Sequence, residues 1–490
     1  MGLFTFEKFR YFNRTLFASV FVIAVSTFNY GFDNQAFATT QAMEHFTRQF
    51  GDYNETTGKY AFRSDWLSLF NSLNYIGFAA GKASYCLLIH EPEQIMAARI
   101  LNYVYVGMEL SVVPTFQSEI VPAPVRGLIV GTYQFSLTVG GLVINAICYG
   151  TSKIDDNRSW RIPLGLFYVV PSIIAAAIFF IPESPRWLLR KNRIDEAKEM
   201  LVRLRHGAFT DEEIEAEFTE LRVTLEHEQE SGNFMELFRG KNVIRTVIIV
   251  FVNFFQQATG QAFASQYGAV YVRSLGIFDP VLFGLMNSGI NAVVITLVLF
   301  ATDRFGRRTL LMASSIAIMG SLFSMGGLGV QEPVSVPRMK GIMALITIFV
   351  SSFSLGWAPL TYVVATEVSN LRLRDHSSRV GFTVNVIFNF LINFSIPYLV
   401  FPDRAGLGSK VGFIFGGIAF CSLIFVYFFV PECKGKTLEQ VDYLFMTGVP
   451  LRKFGSTNAS ELMEAVHHQI QEKEHHDDPE LGQAHHVENK

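Results

Sequence analysis

The sequence predicts an all-α polytopic membrane protein made of two similar helix bundles. Of its 490 residues, 50% are hydrophobic and only 17% are charged, whereas a soluble chain has about 25% charged residues. The apolar residues occur in blocks of about twenty, separated by short polar stretches, as expected of membrane-spanning helices. Two pairs of motifs also recur at nearly the same sequence offset, which indicates an internal duplication.

The apolar blocks predict eleven spans. In the first half they lie near residues 15–37, 65–81, 94–118, 127–149 and 161–181. In the second half they lie near residues 243–273, 281–301, 309–330, 339–366, 376–400 and 410–430. We therefore predict a first bundle over 1–181, a second bundle over 243–445 and, between them, cytoplasmic linker helices over the charged stretch 182–242. Residues 446–490 are polar and His-rich, which predicts a disordered cytoplasmic tail.

Basic residues in the short loops predict the orientation, because such residues stay on the cytoplasmic side of a membrane. Arg10 and Arg14 precede the first span, and further basic residues lie in alternate loops along the chain. We therefore expect both termini inside and the loop 38–64 outside. In that loop, Asn54 opens an Asn-Glu-Thr tripeptide, a possible glycosylation acceptor.

The duplication is visible in acidic and basic residues that follow corresponding spans. In each half an acidic residue is followed seven positions later by an arginine, and a Pro-Glu motif closes the half. These positions are Glu119, Arg126 and Glu183 in the first half, and Glu367, Arg374 and Glu432 in the second. The offset is 248 residues between the first acidic pair and 249 between the closing glutamates. Two independent motif pairs at almost one offset indicate duplication.

The first half is short by roughly 30 residues compared with the second. In the second half, the basic motif at 303–308 precedes a full span before Glu367, but the first half runs from the span 65–81 almost directly into the span 94–118. A helix over residues 82–93 would reach about 18 Å, against a hydrocarbon core of about 30 Å. We expect a third helix truncated near 82–93 through a lost segment; the alternative is a chain with eleven genuine spans.

A series of short motifs follows a fixed order along the chain. They are Gly31-Phe32-Asp33, Arg99, Glu119 with Arg126-Gly127, PESPRW at 182–187, Gln256-Gln257 with Thr259-Gly260, DRFGRR at 303–308, Gly356-Trp357 with Pro359, Glu367, and PECKGKT at 431–437. In this order and spacing the chain resembles the sugar porter family of the major facilitator superfamily, which includes fungal hexose transporters and bacterial xylose:proton symporters.

The resemblance covers about residues 15–450. It implies the major facilitator fold, with two pseudo-symmetric bundles and about 11 recognisable spans of an ancestral 12. It also implies that a sugar crosses the membrane by alternating access, in which two halves rock about a central site. The tail residues resemble those of filamentous-fungal members, and the plasma membrane is the expected location.

Asp33 and Arg99 are the expected proton-coupling pair. An ionisable residue inside an apolar span is costly and is a functional candidate with a nearby partner. In proton-coupled members of the family the acid at this place titrates, and the arginine modulates it. A carboxylate beside an arginine keeps a low pKa, and moving the two apart raises it. The alternative is a fixed structural ion pair, which a facilitator could also contain.

Amide and aromatic side chains in the spans are the expected sugar ligands, since sugar hydroxyls need donors and acceptors flanked by aromatic rings. The candidates are Gln134, Gln256, Gln257, Gln261, Asn291, Trp357, Tyr362, Asn385 and Asn389. An interhelical hydrogen bond is the alternative role for each amide. Ala262 and Tyr362 replace an Asn and a Trp that are usual in the family, which leaves a hexose, pentose, polyol, disaccharide or quinate open.

The remaining charged motif residues are expected to form a cytoplasmic gate that stabilises the outward-facing state. They are Glu119, Arg126, Glu183, Arg186, Asp303, Arg307, Glu367, Arg374 and Glu432. Single surface ion pairs are worth about 0–1 kcal/mol, but a network between two rigid halves can bias a two-state equilibrium. Because the first half lacks its basic loop, we expect a weakened gate.

Other classes of function have no supporting motif. The four cysteines are scattered, which argues against a disulfide framework or a zinc site. The sequence has no nucleotide-binding loop, nucleophile elbow or HExxH motif, so we expect no enzyme activity, cofactor, metal or nucleic-acid partner. The expected partners are a sugar, a proton and the lipid bilayer, with no obligate protein partner. A facilitator, a non-transporting sugar sensor and an inactive truncated copy remain alternative functions.

Overall fold

The computed structural model describes most of the chain. The described residues are 11–54, 59–73, 96, 99–100, 107, 113, 116–117, 119–228, 233–331, 333–436 and 438–457, with only the backbone at some positions, among them 123–128 and 299–304. The predicted junction 82–93 lies outside them, as do most of the predicted span 94–118 and the tail beyond 457.

The first half consists of helices and one short two-stranded ribbon. Its elements are α1 (Arg14–Thr40), α2 (Glu44–Phe50), β1 (Asp52–Asn54), β2 (Lys59–Ala61), α3 (Ser64–Ser72), α4 (Ala123–Thr151), α5 (Arg158–Gly165) and α6 (Val169–Ala177). The two strands are antiparallel, with Tyr53 opposite Tyr60. Three linker helices follow: α7 (Pro185–Arg190), α8 (Ile194–Arg205) and α9 (Asp211–Glu228).

The second half is longer and fully helical among the described residues. Its helices are α10 (Asn242–Ala258), α11 (Gln261–Ser265), α12 (Gly268–Leu275), α13 (Pro280–Phe305), α14 (Arg307–Leu328), α15 (Val336–Leu355), α16 (Trp357–Val368), α17 (Arg374–Val400), α18 (Val411–Phe429) and α19 (Leu438–Thr447). Within the described part of the chain, eight runs of helix are long and apolar enough to cross a membrane.

The bundle has two chemically different ends. We call the end with β1, β2 and the start of α3 the ribbon end, and the end with α7, α8 and α9 the linker end. Helix α1 begins at the linker end, where the Asn13 amide donates hydrogen bonds to the carbonyls of Arg203 (3.0 Å) and His206 (3.1 Å). It finishes at the ribbon end, next to α2.

Glycines allow close approach of the helices that build each half. A Cβ on Gly31 of α1 would lie 1.8 Å from the carbonyl oxygen of Leu137, and one on Gly140 of α4 would lie 2.1 Å from that of Phe28. In the second half, a Cβ on Gly412 of α18 would lie 2.3 Å from the carbonyl oxygen of Leu322 in α14. Small residues at helix crossings are typical of membrane bundles, where dispersion contacts drive association.

Two spans are broken. Gly260 has φ +86°, a left-handed conformation that ends α10 and starts α11 in a new direction. The span predicted as 339–366 is also broken, at Gly356, between α15 and α16. A Cβ on Gly356 would lie 2.6 Å from the Cβ of Ser314, so the backbone approaches α14 closely at this break.

One expectation about the end of ordered structure changes. The disordered tail was expected from residue 446, but α19 continues to Thr447, and Phe454 is completely buried against the Phe445 ring, with 4.9 Å between the ring centroids. Apolar side chains therefore hold the chain against the second bundle as far as this point. Within the span predicted as 65–81, helix α3 is described only as far as Ser72.

The last span of each half differs in burial. In the run Arg158–Phe180, 11% of the apolar window is buried, whereas in its repeat counterpart Gly408–Phe429 the share is 44%. Helix α18 packs along α14, and α14 corresponds to the third span of the first half. The truncated third helix falls on residues outside the described part of the chain and stays a prediction.

The α1–α4 crossing gives a test within one helix. Gly140→Ala should destabilise the protein by about 1–3 kcal/mol through overpacking against the α1 backbone, although alanine has the higher helix propensity. Gly150→Ala in the same helix is the matched control, because nothing lies within 4 Å of its added Cβ. Thermal unfolding in detergent should show a lower midpoint for Gly140→Ala alone. Equal midpoints would show that the crossing is not tight.

Candidate functional site

Four carboxamide side chains meet between α10 and α17. The Asn385 amide donates to the Gln256 oxygen at 2.6 Å and to the Asn253 oxygen at 3.3 Å, and the Gln257 amide donates to the Asn385 oxygen at 3.1 Å. We call Asn253, Gln256, Gln257 and Asn385 the amide cluster. Three of its members are buried, and Gln257 is half-buried. Buried amides that satisfy one another form a polar site inside an apolar bundle.

Helix geometry brings these amides together. Asn253 and Gln256 are three residues apart and therefore share one face of α10. Gly381, one turn before Asn385, lets α17 approach this face, because a Cβ there would lie 3.0 Å from the Asn253 amide nitrogen. The sequence predicted Gln256, Gln257 and Asn385 as ligands but missed Asn253. An amide inside an apolar block one turn before Gln256 was the available signal.

The two aromatic candidates lie on the far side of Gln256. The Gln256 amide donates to the Trp357 carbonyl at 3.4 Å and also hydrogen-bonds with the Tyr362 hydroxyl. Trp357 is completely buried, and its indole N–H donates to the Ser315 hydroxyl at 3.0 Å. The Trp357 ring thus lies within the helix packing here, and its contact with a sugar stays a prediction. Tyr362 stacks against Phe382, with 6.0 Å between ring centroids.

Gln261 stands directly after the break at Gly260. Its side-chain oxygen is buried and accepts no hydrogen bond within the described part of the chain. A buried acceptor without a donor costs free energy unless a ligand or water supplies the donor. Ala262, beside it, is buried, so Gln261 is the polar group at this point of the break.

The other second-half candidates form separate pairs. Asn291 of α13 accepts a hydrogen bond from the Ser354 hydroxyl of α15, and one turn earlier Asn287 accepts from the Thr347 hydroxyl at 2.7 Å. Asn389 of α17 accepts from the amide of Asn393, at 2.5 Å. Asn291 therefore makes the interhelical hydrogen bond that was its alternative role, whereas the hydrogen bond of Asn389 lies within α17; sugar contact by either residue stays a prediction.

Gln134 belongs to the first bundle, whereas the amide cluster belongs wholly to the second. It lies half-buried in α4, and its backbone carbonyl accepts a hydrogen bond from the Thr138 hydroxyl at 2.8 Å. Its part in binding a sugar stays a prediction.

Polar contacts between the two halves were missed by sequence reasoning. The Gln266 amide donates to the Asn34 side-chain oxygen at 2.6 Å, which connects the α11–α12 corner to α1 next to Asp33. The completely buried Asn145 of α4 donates to the Ser288 hydroxyl of α13 at 2.6 Å and accepts from the Thr39 hydroxyl. An amide in an apolar span was the only sequence signal, and it does not identify a partner.

Asp33 and Arg99 are both buried, with exposed fractions of 2% and 5%. The Arg99 guanidinium carbon lies 3.6 Å from the centroid of the Phe37 ring. Because Phe37 follows Asp33 by one helical turn, Arg99 approaches the face of α1 that contains Asp33. A buried acid and a buried arginine in this region fit the predicted coupling pair, whose role in proton transfer stays a prediction.

In the second half, the linker-end gate residues form one cluster. The guanidinium of Arg307 contacts the Glu367 carboxylate at 3.0 and 3.1 Å. Glu432 accepts the backbone N–H groups of Arg307 at 3.0 Å and Arg308 at 3.1 Å, and so caps the start of α14. A carboxylate at a helix N-terminus is stabilised by the free N–H groups and the helix dipole. Burial raises the pKa of the neighbouring Cys433 thiol, aided by these two glutamates.

The first half has a different arrangement at the corresponding positions. Glu119, the counterpart of Glu367, accepts a hydrogen bond from the Ser184 hydroxyl. Glu183, the counterpart of Glu432, is exposed. The half-buried Arg186 and Arg374 lie at the starts of α7 and α17, while the side chains of Arg126 and Asp303 lie outside the described residues. A glutamate that caps a helix in one half is therefore solvent-facing in the other.

Comparison with known proteins agrees with this architecture. Residues 75–445 match the family model described as sugar (and other) transporter. The high glucose sensor RGT2 of Saccharomyces cerevisiae is 31% identical over 360 residues, which cover 72% of this chain and 47% of the sensor. The hexose transporter HXT10 of the same yeast is 30% identical over 364 residues, which cover 72% of this chain and 66% of the transporter. The matched region is therefore only about half to two thirds of these relatives.

A solved structure supports the fold alone. The xylose transporter XylE from E. coli, in a partially occluded inward open conformation, superposes with a TM-score of 0.67 at 18% identity, covering 87% of this chain and 100% of that chain. The expected major facilitator architecture is confirmed by this likeness, and the family assigned from the motifs is confirmed by the family model. That family consists of transporters and not of enzymes.

The different contributions of Glu432 and Glu183 to stability can be tested directly. Glu432→Ala should lower stability clearly, because each lost hydrogen bond to a charged group costs about 1.5–3 kcal/mol. Glu183→Ala, the same change at the repeat-related position, should have little effect because its side chain is exposed. Detergent unfolding midpoints of the two variants provide the comparison. A similar drop of the unfolding midpoint in both variants would contradict the conclusion that Glu432 caps a helix while Glu183 is exposed.

Proposed function

Because this chain belongs to the family of sugar (and other) transporters, we propose that it moves a sugar across a membrane by alternating access, together with a proton. A hexose or a related monosaccharide is the proposed substrate. We place the protein in the plasma membrane with the linker end in the cytoplasm. The basic side chains of Arg307, Arg308 and Arg372 at the linker end support this orientation.

The amide cluster is the observation that supports sugar binding most strongly. Its four carboxamides have both donors and acceptors. Their hydrogen bonds to one another can be replaced by hydrogen bonds to sugar hydroxyls. The break at Gly260 lies two residues beyond the end of α10, and broken helices build the substrate sites of many transporters. Gln261, with its buried and unsatisfied side-chain oxygen, supplies a further acceptor at the break.

Asp33 and Arg99 support proton coupling. Both are buried, and Arg99 approaches the face of α1 that contains Asp33. Asn34, the next residue after Asp33, accepts a hydrogen bond from Gln266 of the second half. Relative motion of the halves would therefore move the groups around Asp33, and a change in those surroundings shifts the pKa of a buried carboxylate.

Uptake of labelled sugars by a yeast strain without hexose transporters tests the whole proposal. Uptake that a protonophore abolishes supports symport, and uptake that it leaves unchanged supports a facilitator. The similarity to a glucose sensor favours one further candidate, a receptor that binds sugar without moving it. Sugar binding by purified protein without uptake in cells would support that receptor. If the protein shows no sugar binding and the cells show no uptake, the chain is an inactive copy.

Asn385→Asp should reduce uptake at least about tenfold. The change keeps the shape but removes the amide donors to Gln256 and Asn253, and leaving buried acceptors unsatisfied costs about 1–3 kcal/mol. Gln331→Glu, the same amide-to-acid change at an exposed position, is the control. Initial uptake rates normalised to surface expression give the comparison. Normal uptake by the Asn385→Asp variant would show that the amide cluster does not bind the substrate.

Asp33→Asn should abolish accumulation against a gradient while leaving downhill sugar exchange measurable. The amide cannot take up a proton, so coupling is lost, but the substrate site is unchanged. Asp52→Asn, at an exposed position, is the control. The measurements are sugar accumulation and alkalinisation of the medium on sugar addition. If Asp33→Asn still accumulates sugar with protons, another residue provides the coupling.

A further inference from the structure

A set of charged and polar groups connects the two halves at the ribbon end. The Arg404 guanidinium, just after α17, donates to both carboxylate oxygens of Asp65 in α3, at 2.7 and 2.9 Å. The Tyr398 hydroxyl also donates to Asp65, and the Tyr398 ring centroid lies 5.5 Å from the Arg404 guanidinium carbon. Both contacts come from one guanidinium nitrogen, Nη2, and hydrogen bonds between ionised groups are stronger than those between neutral groups.

The neighbouring residues form a second contact of the same kind. Asp403 accepts the Ser64 backbone N–H at 2.8 Å and the Ser64 hydroxyl at 2.5 Å. Ser64 is the first residue of α3, so a carboxylate from the second half caps the N-terminus of a helix in the first half. The free N–H groups and the helix dipole favour an anion at this position.

The contacts continue from there into the bundle. The Ser68 hydroxyl, one turn along α3, donates to the Phe394 carbonyl of α17 at 2.6 Å. The Tyr267 hydroxyl lies between the Asn393 carbonyl at 2.8 Å and the Leu67 carbonyl at 3.3 Å. Helices α3 and α17 thus share hydrogen bonds over more than one turn, and separating the halves at this end would break all of them together.

Opening would not leave Asp65 without a cation. Arg63 lies 3.3 Å from Asp65 within the first half, so the carboxylate can keep one charged neighbour after Arg404 leaves. Such a contact can break and form again, because separating its partners leaves no charge that is both buried and unpaired. The Asp65 and Arg404 side chains are 30% and 47% exposed, which also keeps the contact moderate in strength.

We propose that Ser64, Asp65, Asp403 and Arg404 form a clasp that holds the ribbon end closed, and that release of this clasp opens the ribbon end to substrate. This inference rests on the proposed alternating access. In the second half the linker end has the Arg307, Glu367 and Glu432 cluster, whereas the first-half Glu183 is exposed. The clasp acts against a linker-end gate whose described ion pair, Arg307 with Glu367, lies in the second half, and it favours the state closed at the ribbon end.

Cysteine accessibility tests the clasp without requiring transport. A Ser68→Cys reporter is placed in the full chain with Cys86 and Cys421 changed to Ser, in reconstituted vesicles. Its reaction rate with a membrane-impermeant maleimide measures opening of the ribbon end. Asp65→Asn and Arg404→Gln should each raise this rate about two- to fivefold, since loss of one partly exposed ion pair shifts a two-state equilibrium by that factor.

Two further variants make the test specific. The exchange Asp65→Arg with Arg404→Asp should return the labelling rate toward that of the parent, because the ion pair is restored in reverse. Asp156→Asn removes an ion pair with Arg158 within the first half, at the same end, and should leave the rate unchanged. Unchanged labelling in the single variants, or no recovery in the exchange, would overturn the clasp. Altered labelling in a protein that moves no sugar would support the clasp and overturn the proposed transport instead.

Discussion

Backbone amides and carbonyls in a hydrocarbon layer have no water to bond to, and this constraint governs the rest of the structure. Each must be satisfied within its own helix, so the apolar segments become helices, and any departure from a helix must be enclosed by protein. The breaks at Gly260 and Gly356 obey this rule. Gly260 is packed against the Phe415 ring and Gly356 against α14. A buried side-chain amide without a partner also costs free energy, and Asn253, Gln256, Gln257 and Asn385 satisfy one another.

The duplicated halves have diverged in a way that has physical consequences. In the second half, Glu432 caps α14 because the turn at Gly306 leaves room for its carboxylate; a Cβ at that glycine would lie 2.5 Å from the Glu432 oxygen. The first half has no full counterpart of this basic loop in its sequence, and Glu183 is exposed. In the run Arg158–Phe180 a smaller share of the apolar window is buried than in the run Gly408–Phe429. The lost segment and the weakened gate that the sequence predicts stay predictions.

A transporter must be able to close either end, and the two ends here use different chemistry. At the linker end, Arg307 forms an ion pair with Glu367, and Glu432 caps the start of α14; these described contacts lie within the second half. The ribbon end uses contacts that cross from one half to the other, from Asp65 and Ser64 to Arg404 and Asp403. Between them, Asn34 with Gln266 and Asn145 with Ser288 join the halves inside the bundle. Polar groups thus join the halves both at the ribbon end and inside the bundle.

The sequence by itself determined the membrane class, the duplication, most of the spans and several members of the site. These follow from local patterns, since apolar length, glycine placement and amides within apolar blocks are readable along the chain. Gln256, Gln257 and Asn385 could be chosen in this way. Only the tertiary structure decided which side chains meet: that Asn253 completes the cluster, that Trp357 is enclosed by packing, and that Asp403 caps α3. These pairings join residues up to 339 positions apart, and a pattern along the chain does not specify which faces of distant helices come into contact.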